Sequence, residues 1–230
     1  MKSRLPAPEF GPPLPRHFFD REPAVVARAL LGRVLVRREH GEQLAGRIVE
    51  VEAYGGARDA ASHAFRGATP RNLTMFGPPG RLYVYLSHGI HHCINVVTGA
   101  RGVSNAVLIR ALEPLVGLDR MRERRGGRED VALTRGPGCV AQALGLSRTH
   151  DGLDLVEGSL WIADRAPRRG GRAIATGPRI GVSREVERRW RFFLSGHPCV
   201  SGARGMSARP ELRGTRPERQ ENVDTLASHS

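Results

Sequence analysis

Short alternating apolar stretches fill the middle of the chain, and they predict strands more often than helices. One helical stretch comes first. In "DREPAVVARALLG" Asp20 is placed to cap a helix, Pro23 suits its first turn and Gly32 is suited to end it. "RVLVRREHGEQLAGRIVEVEAY" then alternates on both sides of His40-Gly41. This pattern predicts a hairpin whose second strand runs from Leu44 to Tyr54.

Strands continue to outnumber helices further along the chain. "RLYVYLS" and "HHCINVV" predict a second hairpin joined at His88-Gly89, and "NAVLIRALEP" predicts a long strand with Pro114 near its end. The predicted helices are "VGLDRMRERRGG" and "GCVAQALGL", and the predicted short strands are "SLWIAD", "RIGVS" and "RWRFFLSG". Because strands and helices mix without βαβ regularity, we expect an α+β fold. We expect it to be a single domain with a mainly antiparallel, curved β-sheet flanked by helices and a protruding β-hairpin.

The two ends of the chain differ in composition from the middle. Residues 1–17 are basic and proline-rich, which predicts a flexible arm, and residues 203–230 are polar, which predicts a disordered tail. No linker divides residues 18–202, which are expected to form the domain. No apolar run approaches the about 18 residues of a membrane helix, and the opening residues lack the apolar stretch of a signal peptide. The three cysteines are odd in number and widely spaced, which favours a reducing, cytoplasmic compartment over a disulfide framework.

Charge points to the class of partner. The formal net charge is +13, and because Lys2 is the only lysine, the positive charge is almost entirely arginine. Arginine suits bidentate phosphate contacts, so nucleic acid is the leading partner class. Genomic codon bias is the alternative source of the arginines. An acidic membrane surface is less favoured, since no basic amphipathic helix with an aromatic face is visible. The clusters "RMRERRGGRED", "DRAPRRGGR" and "REVERRWR" would also suit a nucleic-acid-binding module without catalysis.

Two carboxylates and a tyrosine share a face of the strand predicted over residues 44–54. Alternation places Ile48, Glu50, Glu52 and Tyr54 on one face, and Val49, Val51 and Ala53 on the core face. On base rates the first set is a solvated strand face. Strand ends before glycine-rich loops also present catalytic groups, and there Glu52 could serve as a general base for water. The loop beyond contains His63 and "TPRN", which can grip a phosphate or form an ordinary turn.

Three histidines and a cysteine within residues 88–93 raise the question of a metal site. On the predicted hairpin at most two of them, His91 and Cys93, share a face. Structural zinc takes four ligands, and no other segment supplies the rest, so no metal is expected. A zinc-dependent hydrolase centred on this pair is the least favoured alternative. A hairpin turn that carries a flat ring is instead suited to enter a base stack in place of an extruded base.

Nine segments together resemble the alkyladenine (methylpurine) type of 3-methyladenine DNA glycosylase. In order they are "FFDREPAVVARALLG", "GRIVEVEAY", "ASHAFRG", "TPRN", "GRLYVYLSHGIHHCIN", "VLIRALEP", "GPGCVAQALG", "RIGVS" and "RFFLSG", from about Phe18 to Gly202. The resemblance implies a monofunctional glycosylase of base excision repair that acts on double-stranded DNA. It would flip out alkylated or deaminated purines such as 3-methyladenine, 7-methylguanine, hypoxanthine and ethenoadenine, and hydrolyse their N-glycosidic bonds. It would do so as a cytoplasmic, nucleoid-associated monomer without a cofactor.

The resemblance also implies roles for individual residues. Glu52 matches the general base that activates the attacking water. Arg110 matches an arginine that holds this water, and Val182 matches a residue whose backbone carbonyl does the same. Lyase chemistry through a Schiff base needs an amine. Since Lys2 is the sole lysine, the amines available are that of Lys2 and the amino terminus.

Further matches concern the base pocket and the DNA. The matching pocket residues are Tyr54 on one wall, His63 and Tyr85 on the opposing wall, and Asn95, which would exclude normal guanine. Arg71 matches a phosphate contact. His88 stands where the family carries the tyrosine that fills the gap left by the extruded base, with Ile90 and His91 as minor-groove neighbours. Because imidazole is smaller than phenol, His88 would fill that gap less completely.

Overall fold

A computed structural model of the protein describes residues 10–164 and 169–202. Residues 1–9 of the predicted arm and the predicted tail of residues 203–230 lie outside the described residues. Within the described part, eight strands form one sheet in which every pairing is antiparallel. The strands are β1 (Val34–Glu39), β2 (Glu42–Tyr54), β3 (Leu82–Ser87), β4 (His91–Thr98), β5 (Asn105–Val116), β6 (Leu160–Ile162), β7 (Ile174–Gly177) and β8 (Arg191–Leu194). The helices are α1 (Arg16–Phe19), α2 (Pro23–Leu30), α3 (Leu118–Arg124), α4 (Asp130–Leu133) and α5 (Pro137–Ala143). The prediction of an α+β fold with a mainly antiparallel sheet is confirmed.

β2 organises the sheet. The main strand order is β3-β4-β5-β2-β1-β6, so β5 covers one edge of β2 along most of its length. The other edge is shared, because β1 pairs with residues 42–47 and β8 pairs with residues 50–52. β7 then pairs with β8. This division lets the sheet curl, and it leaves the carboxyl-terminal half of β2 at the centre of the molecule.

One face of the sheet packs against helices. Val26 and Leu30 of α2 and Val140 of α5 join Val51 and Ile109 of the sheet in one buried apolar cluster. Removal of these side chains from water is the main favourable contribution to the fold. None of the described helices is long and apolar enough to cross a membrane.

The first predicted helix forms with one correction at its start. α2 begins at Pro23 after Glu22, and Asp20, which the sequence places as its cap, instead follows the last residue of α1. Proline suits this position because its missing N–H would have no helical acceptor there. Gly32 follows the helix with φ +87°, a conformation that glycine adopts without strain, so its predicted terminating role is confirmed.

Both predicted hairpins form, although their details differ from the pattern. His40 and Gly41 have φ 47° and 81° and join β1 to β2 in a tight turn. β2 starts at Glu42, two residues before the predicted start. In the second hairpin Ser87 pairs with His91, so the loop contains three residues, 88–90, where the sequence indicates two.

Irregularities in β2 change which side chains share a face. The register between β2 and β5 shifts between Ile48 and Glu50 and again between Glu50 and Val51. A β-bulge adds a residue to one strand and interrupts alternation. Ile48 accordingly joins the buried apolar cluster, whereas the sequence pattern places it with the carboxylates. Glu50 and Glu52 are fully buried, so the interpretation as a solvated strand face is wrong.

Other differences lie at the edges of the domain. Residues 179–183, predicted as a strand from "RIGVS", form a loop. The predicted flexible arm includes residues 10–17, but Phe10 and Leu14 are buried and Pro13 forms a bridge with Ala163. The packed part of the chain therefore begins before residue 18. β7, α1 and α4 are short elements that the sequence pattern does not indicate.

Candidate active site

A cavity of about 970 Å³ opens on the polar side of the sheet, between the second hairpin and the loop at residues 180–184. It brings together most of the residues singled out from the sequence. Those that line it are Tyr54, His63, Arg71, Tyr85, His88, His91, Asn95, Arg110 and Val182. Glu52 contacts three lining residues, Tyr54, Arg110 and Ile180, from a fully buried position, and Ile90 lies at the hairpin tip.

Glu52 has both carboxylate oxygens engaged by donors. Oε1 accepts a hydrogen bond from the backbone N–H of Ile180 at 2.8 Å. Oε2 accepts one from the Tyr54 hydroxyl at 2.9 Å and lies 3.2 Å from Nη1 of Arg110. Burial raises the pKa of Glu52 above its ordinary 4.5, although the Arg110 charge and these donors act in the opposite direction. The carboxylate is therefore a stronger base than a solvated glutamate.

Glu50, two residues earlier on the same strand, has a different environment. Its Oε1 accepts hydrogen bonds from Nε of Arg191 at 2.7 Å and from Nε of Arg110 at 3.1 Å. Its Oε2 accepts the backbone N–H of Ser201 at 2.6 Å. Arg110 thus bridges the two carboxylates. Its Nε binds Glu50, and its Nη1 lies against Glu52. Two arginines compensate the buried charge of Glu50.

Aromatic rings form the walls of the cavity. The rings of His63 and Tyr85 meet edge to face at 4.4 Å between centroids, and Tyr83 stacks on Tyr85 at 5.7 Å. Burial raises the pKa of the Tyr54 and Tyr85 phenols. Partial burial, with the nearby charge of Arg71, lowers the pKa of His63. These rings are consequently neutral at pH 7, and the walls can hold a flat, electron-poor molecule.

Asn95 and Cys93 lie deeper on β4, opposite the two tyrosines of β3. Asn95 pairs with Tyr83 in the sheet and donates from Nδ2 to its carbonyl oxygen at 3.2 Å, which fixes the amide. Cys93 pairs with Tyr85, and burial raises the pKa of its thiol. In the described part of the chain no group of three or more His, Cys, Asp or Glu side chains is arranged to hold a metal ion.

The second hairpin projects beside the cavity mouth. Ile90 is 72% exposed at its tip, and His88, with φ 51°, is exposed next to it. α5 supports this hairpin beside its tip, because a Cβ placed on Gly138 would lie 2.9 Å from Cβ of His91, the first residue after the loop. Only glycine permits so close an approach. The hairpin thus presents exposed side chains from a loop that α5 supports on one side.

Arginines that have no side-chain partner in the part of the chain that the structure describes lie around the mouth. The side chains of Arg66, Arg71 and Arg184 line the cavity, are exposed, and form no hydrogen bond or ion pair with other described residues. These three leave positive charge available for an anionic ligand.

Several residues at this site carry no signal that the sequence reasoning used. Ile180 contributes only a backbone N–H, which no side-chain pattern reveals. Tyr83 occupies the same strand face as Tyr85, so alternation could have identified it. Asp59 and Arg179 form a fully buried ion pair behind Tyr54, and they are too far apart in sequence to suggest a pair.

Comparisons with known proteins show what the chain is similar to. Residues 17–198 match the family model described as methylpurine-DNA glycosylase. A protein of Chlorobaculum parvum is 46% identical over 204 residues, which cover 88% of this chain and 97% of that protein. One of Burkholderia lata is 48% identical over 208 residues, covering 88% and 98%. One of Anaeromyxobacter dehalogenans is 48% identical over 192 residues, covering 82% and 85%. All three carry the name "Putative 3-methyladenine DNA glycosylase".

Proposed function

The chain belongs to the methylpurine-DNA glycosylase family, and from this premise we propose that it is a monofunctional glycosylase of base excision repair. It flips alkylated or deaminated purines out of double-stranded DNA and hydrolyses the N-glycosidic bond with a water that Glu52 activates. The observation that carries this proposal is the environment of Glu52, a buried carboxylate of raised pKa held behind an aromatic cavity.

The chemistry follows from this carboxylate. Glu52 takes a proton from a water molecule as the oxygen of that water bonds to C1′ and the purine leaves with the electrons of the glycosidic bond. Positive charge develops on the sugar in the transition state, and an ionised carboxylate fixed nearby stabilises it. Arg110, 3.2 Å from Glu52, and the backbone carbonyl of Val182 are the proposed partners of the water.

The aromatic walls suit an alkylated purine. Alkylation on a ring nitrogen gives the base a positive charge, and a cation is attracted to the faces of neutral aromatic rings. Tyr54, His63 and Tyr85 supply such rings around the cavity. Asn95, held by its bond to the Tyr83 carbonyl, is the proposed barrier to the 2-amino group of guanine.

The outer surface suits a duplex with one base extruded. His88 enters the gap in the base stack, while Ile90 and His91 contact the minor groove beside it. Arg71, exposed and without a protein ion pair among the described residues, binds a backbone phosphate. Because Lys2 is the only lysine of the sequence, release by water rather than by a lysine Schiff base is proposed, which leaves an intact abasic strand.

An excision assay tests the proposal. The protein is incubated with duplexes that each contain one 3-methyladenine, 7-methylguanine, hypoxanthine or ethenoadenine, with EDTA present. Strand cleavage is expected only after alkali treatment, which reports base release without lyase activity. Release of none of these bases would refute the proposed function. Cleavage before alkali would refute the monofunctional assignment, and loss of activity specifically with EDTA would favour the zinc alternative.

A further inference from the structure

We propose that the buried ion pair of Asp59 and Arg179 is a positioning device for the general base, because it holds the Ile180 N–H and the Tyr54 ring against Glu52. This inference rests on the proposed function, in which Glu52 activates water. Asp59 and Arg179 do not touch the reacting atoms, and they act through the residues that contact Glu52.

The pair ties three separate segments together. Arg179 makes a two-pronged contact with Asp59, in which Nη2 donates to Oδ1 at 2.9 Å and Nη1 donates to Oδ2. Nη1 also donates to the carbonyl of Ala53 at the end of β2, at 3.1 Å. Asp59 in turn accepts the backbone N–H groups of Gly55 at 3.0 Å and Ala61 at 3.1 Å. The end of β2, the loop before His63 and the loop after β7 therefore share one anchor.

This anchor determines two of the three donors to Glu52. The residue next to Arg179 is Ile180, whose N–H lies 2.8 Å from Oε1 of Glu52. The guanidinium of Arg179 also lies over the Tyr54 ring, 4.8 Å from its centroid. The hydroxyl of that ring donates to Oε2 of Glu52. Movement of Arg179 would thus displace both donors together.

The loop that carries Ile180 has few other attachments. Among the described residues, no backbone-to-backbone hydrogen bond involves residues 178–184, since the pairing of β7 with β8 ends at Gly177. The side chain of Ile180 is 40% exposed. The position of its N–H consequently depends on the anchored guanidinium of the preceding residue.

Stability alone does not account for such a pair. Both side chains are fully buried, and the cost of removing two charges from water offsets most of their attraction. Apolar residues of similar volume often replace a buried pair without loss of stability. An apolar pair would not reproduce the geometry, because apolar side chains cannot form the hydrogen bonds to the Ala53 carbonyl and to the loop amides.

The first test is Arg179→Lys. Lysine keeps the charge but cannot make the forked contact with Asp59, reach the Ala53 carbonyl and stack on Tyr54 at once. We expect the single-turnover rate of base release to fall by about tenfold, because one hydrogen bond to a charged group is lost. The enzyme concentration that gives the half-maximal rate should change by less than about threefold. Loss of the Ile180 donor also raises the pKa of Glu52. The acidic limb of the pH–rate profile, where protonation of Glu52 lowers the rate, should therefore shift to higher pH by about one unit.

A second variant separates positioning from folding and from charge. The double variant Asp59→Leu with Arg179→Met replaces the ion pair by apolar side chains and leaves the net charge unchanged. We expect it to unfold near the temperature of the parent, yet to show the slower rate and the shifted limb of Arg179→Lys. Arg124→Lys is the matched control. Arg124 binds both carboxylate oxygens of Glu39 through its Nη2 and lies outside the cavity lining, so the acidic limb of the Arg124→Lys rate profile should stay in place.

The outcomes are distinct. If the Arg179→Lys and double variants lower the rate by one factor at every pH, with the limb unmoved, the pair is only structural and the inference is refuted. The inference is also refuted if the rate of base release falls only in proportion to the folded fraction of each variant. Full turnover by Glu52→Gln would instead refute the proposed function, whatever the Arg179 variants do. If neither Arg179 variant folds while Arg124→Lys does, the pair is required for folding and the inference is likewise refuted.

Discussion

Replacement of Glu52 by glutamine is predicted to abolish turnover without lowering stability at neutral pH. Glutamine has nearly the shape of glutamate, so the cavity and the binding of lesion DNA should persist. The amide cannot accept a proton from water, and loss of a general base costs about 10²- to 10⁴-fold in rate. Single-turnover base release measures this loss, and a gel-shift assay with the lesion duplex measures binding.

The stability prediction follows from the sign of the pKa shift. Burial holds the pKa of Glu52 above 4.5, so the folded protein binds more protons at this site than the unfolded chain does between these two pKa values. The stability that the protonated group contributes is thus lost as the pH rises through this window. Glutamine stays neutral and avoids the loss. At pH 7 the variant should unfold at or above the parental temperature. The difference should shrink as the pH falls through the folded-state pKa of Glu52 and vanish below about 4.5, the ordinary value in the unfolded chain.

Glu50→Gln is the matched comparison, because Glu50 lies on the same strand face and is equally buried. Its oxygens bind Arg191, Arg110 and the Ser201 N–H. Removal of one member of a buried ion pair leaves an uncompensated charge and costs about 3–5 kcal/mol. Urea denaturation should show this loss for Glu50→Gln alone. If Glu52→Gln is destabilised to the same extent and still releases bases, Glu52 is a structural residue and the reasoning fails.

Four further predictions concern the walls and the DNA surface. Tyr54→Phe keeps the ring but removes a donor to Glu52, so the acidic limb of the pH–rate profile should shift to higher pH by about one unit. A limb at the parental pH would contradict the hydrogen bond from Tyr54 to Glu52. Asn95→Ala opens space beside the base, so release of undamaged guanine from duplex DNA should increase by about tenfold. Unchanged release of guanine would show that Asn95 does not exclude this base. His88→Ala should slow excision from a lesion duplex by about tenfold but leave a single-stranded lesion unaffected, and equal excision from the duplex would exclude intercalation. Arg71→Gln should reduce the slope of log affinity against log salt by about 1, and a parental slope would show that Arg71 binds no phosphate.

Local patterns predicted those parts of the fold that short-range geometry determines. The turn at His40-Gly41 formed as predicted because both residues can adopt positive φ. The alternation in β2 correctly placed Glu50, Glu52 and Tyr54 together, but it failed at Ile48, where a bulge shifts the register. A bulge depends on the partner strand β5, whose residues lie far along the chain.

The loop at residues 179–183 shows the limit of such patterns. "RIGVS" has the composition of a short strand, yet Arg179 turns inward to Asp59, which lies 120 residues earlier. The N–H of Ile180 then pairs with Glu52 rather than with a neighbouring strand. Burial of a charge requires a partner, and here the partner decided the path of the backbone.

The sequence by itself determined the inventory: two carboxylates and a tyrosine on one strand face, a ring-bearing hairpin turn, an arginine-rich surface and a single lysine. Only the tertiary structure decided the surroundings of each carboxylate. Glu50 and Glu52 are equivalent by alternation, but Arg191 and Ser201 arrive beside Glu50 from more than 140 residues away, and Ile180 arrives beside Glu52 from 128. Because a buried carboxylate takes its pKa from the charges and donors around it, these long-range contacts give the two groups different chemistry.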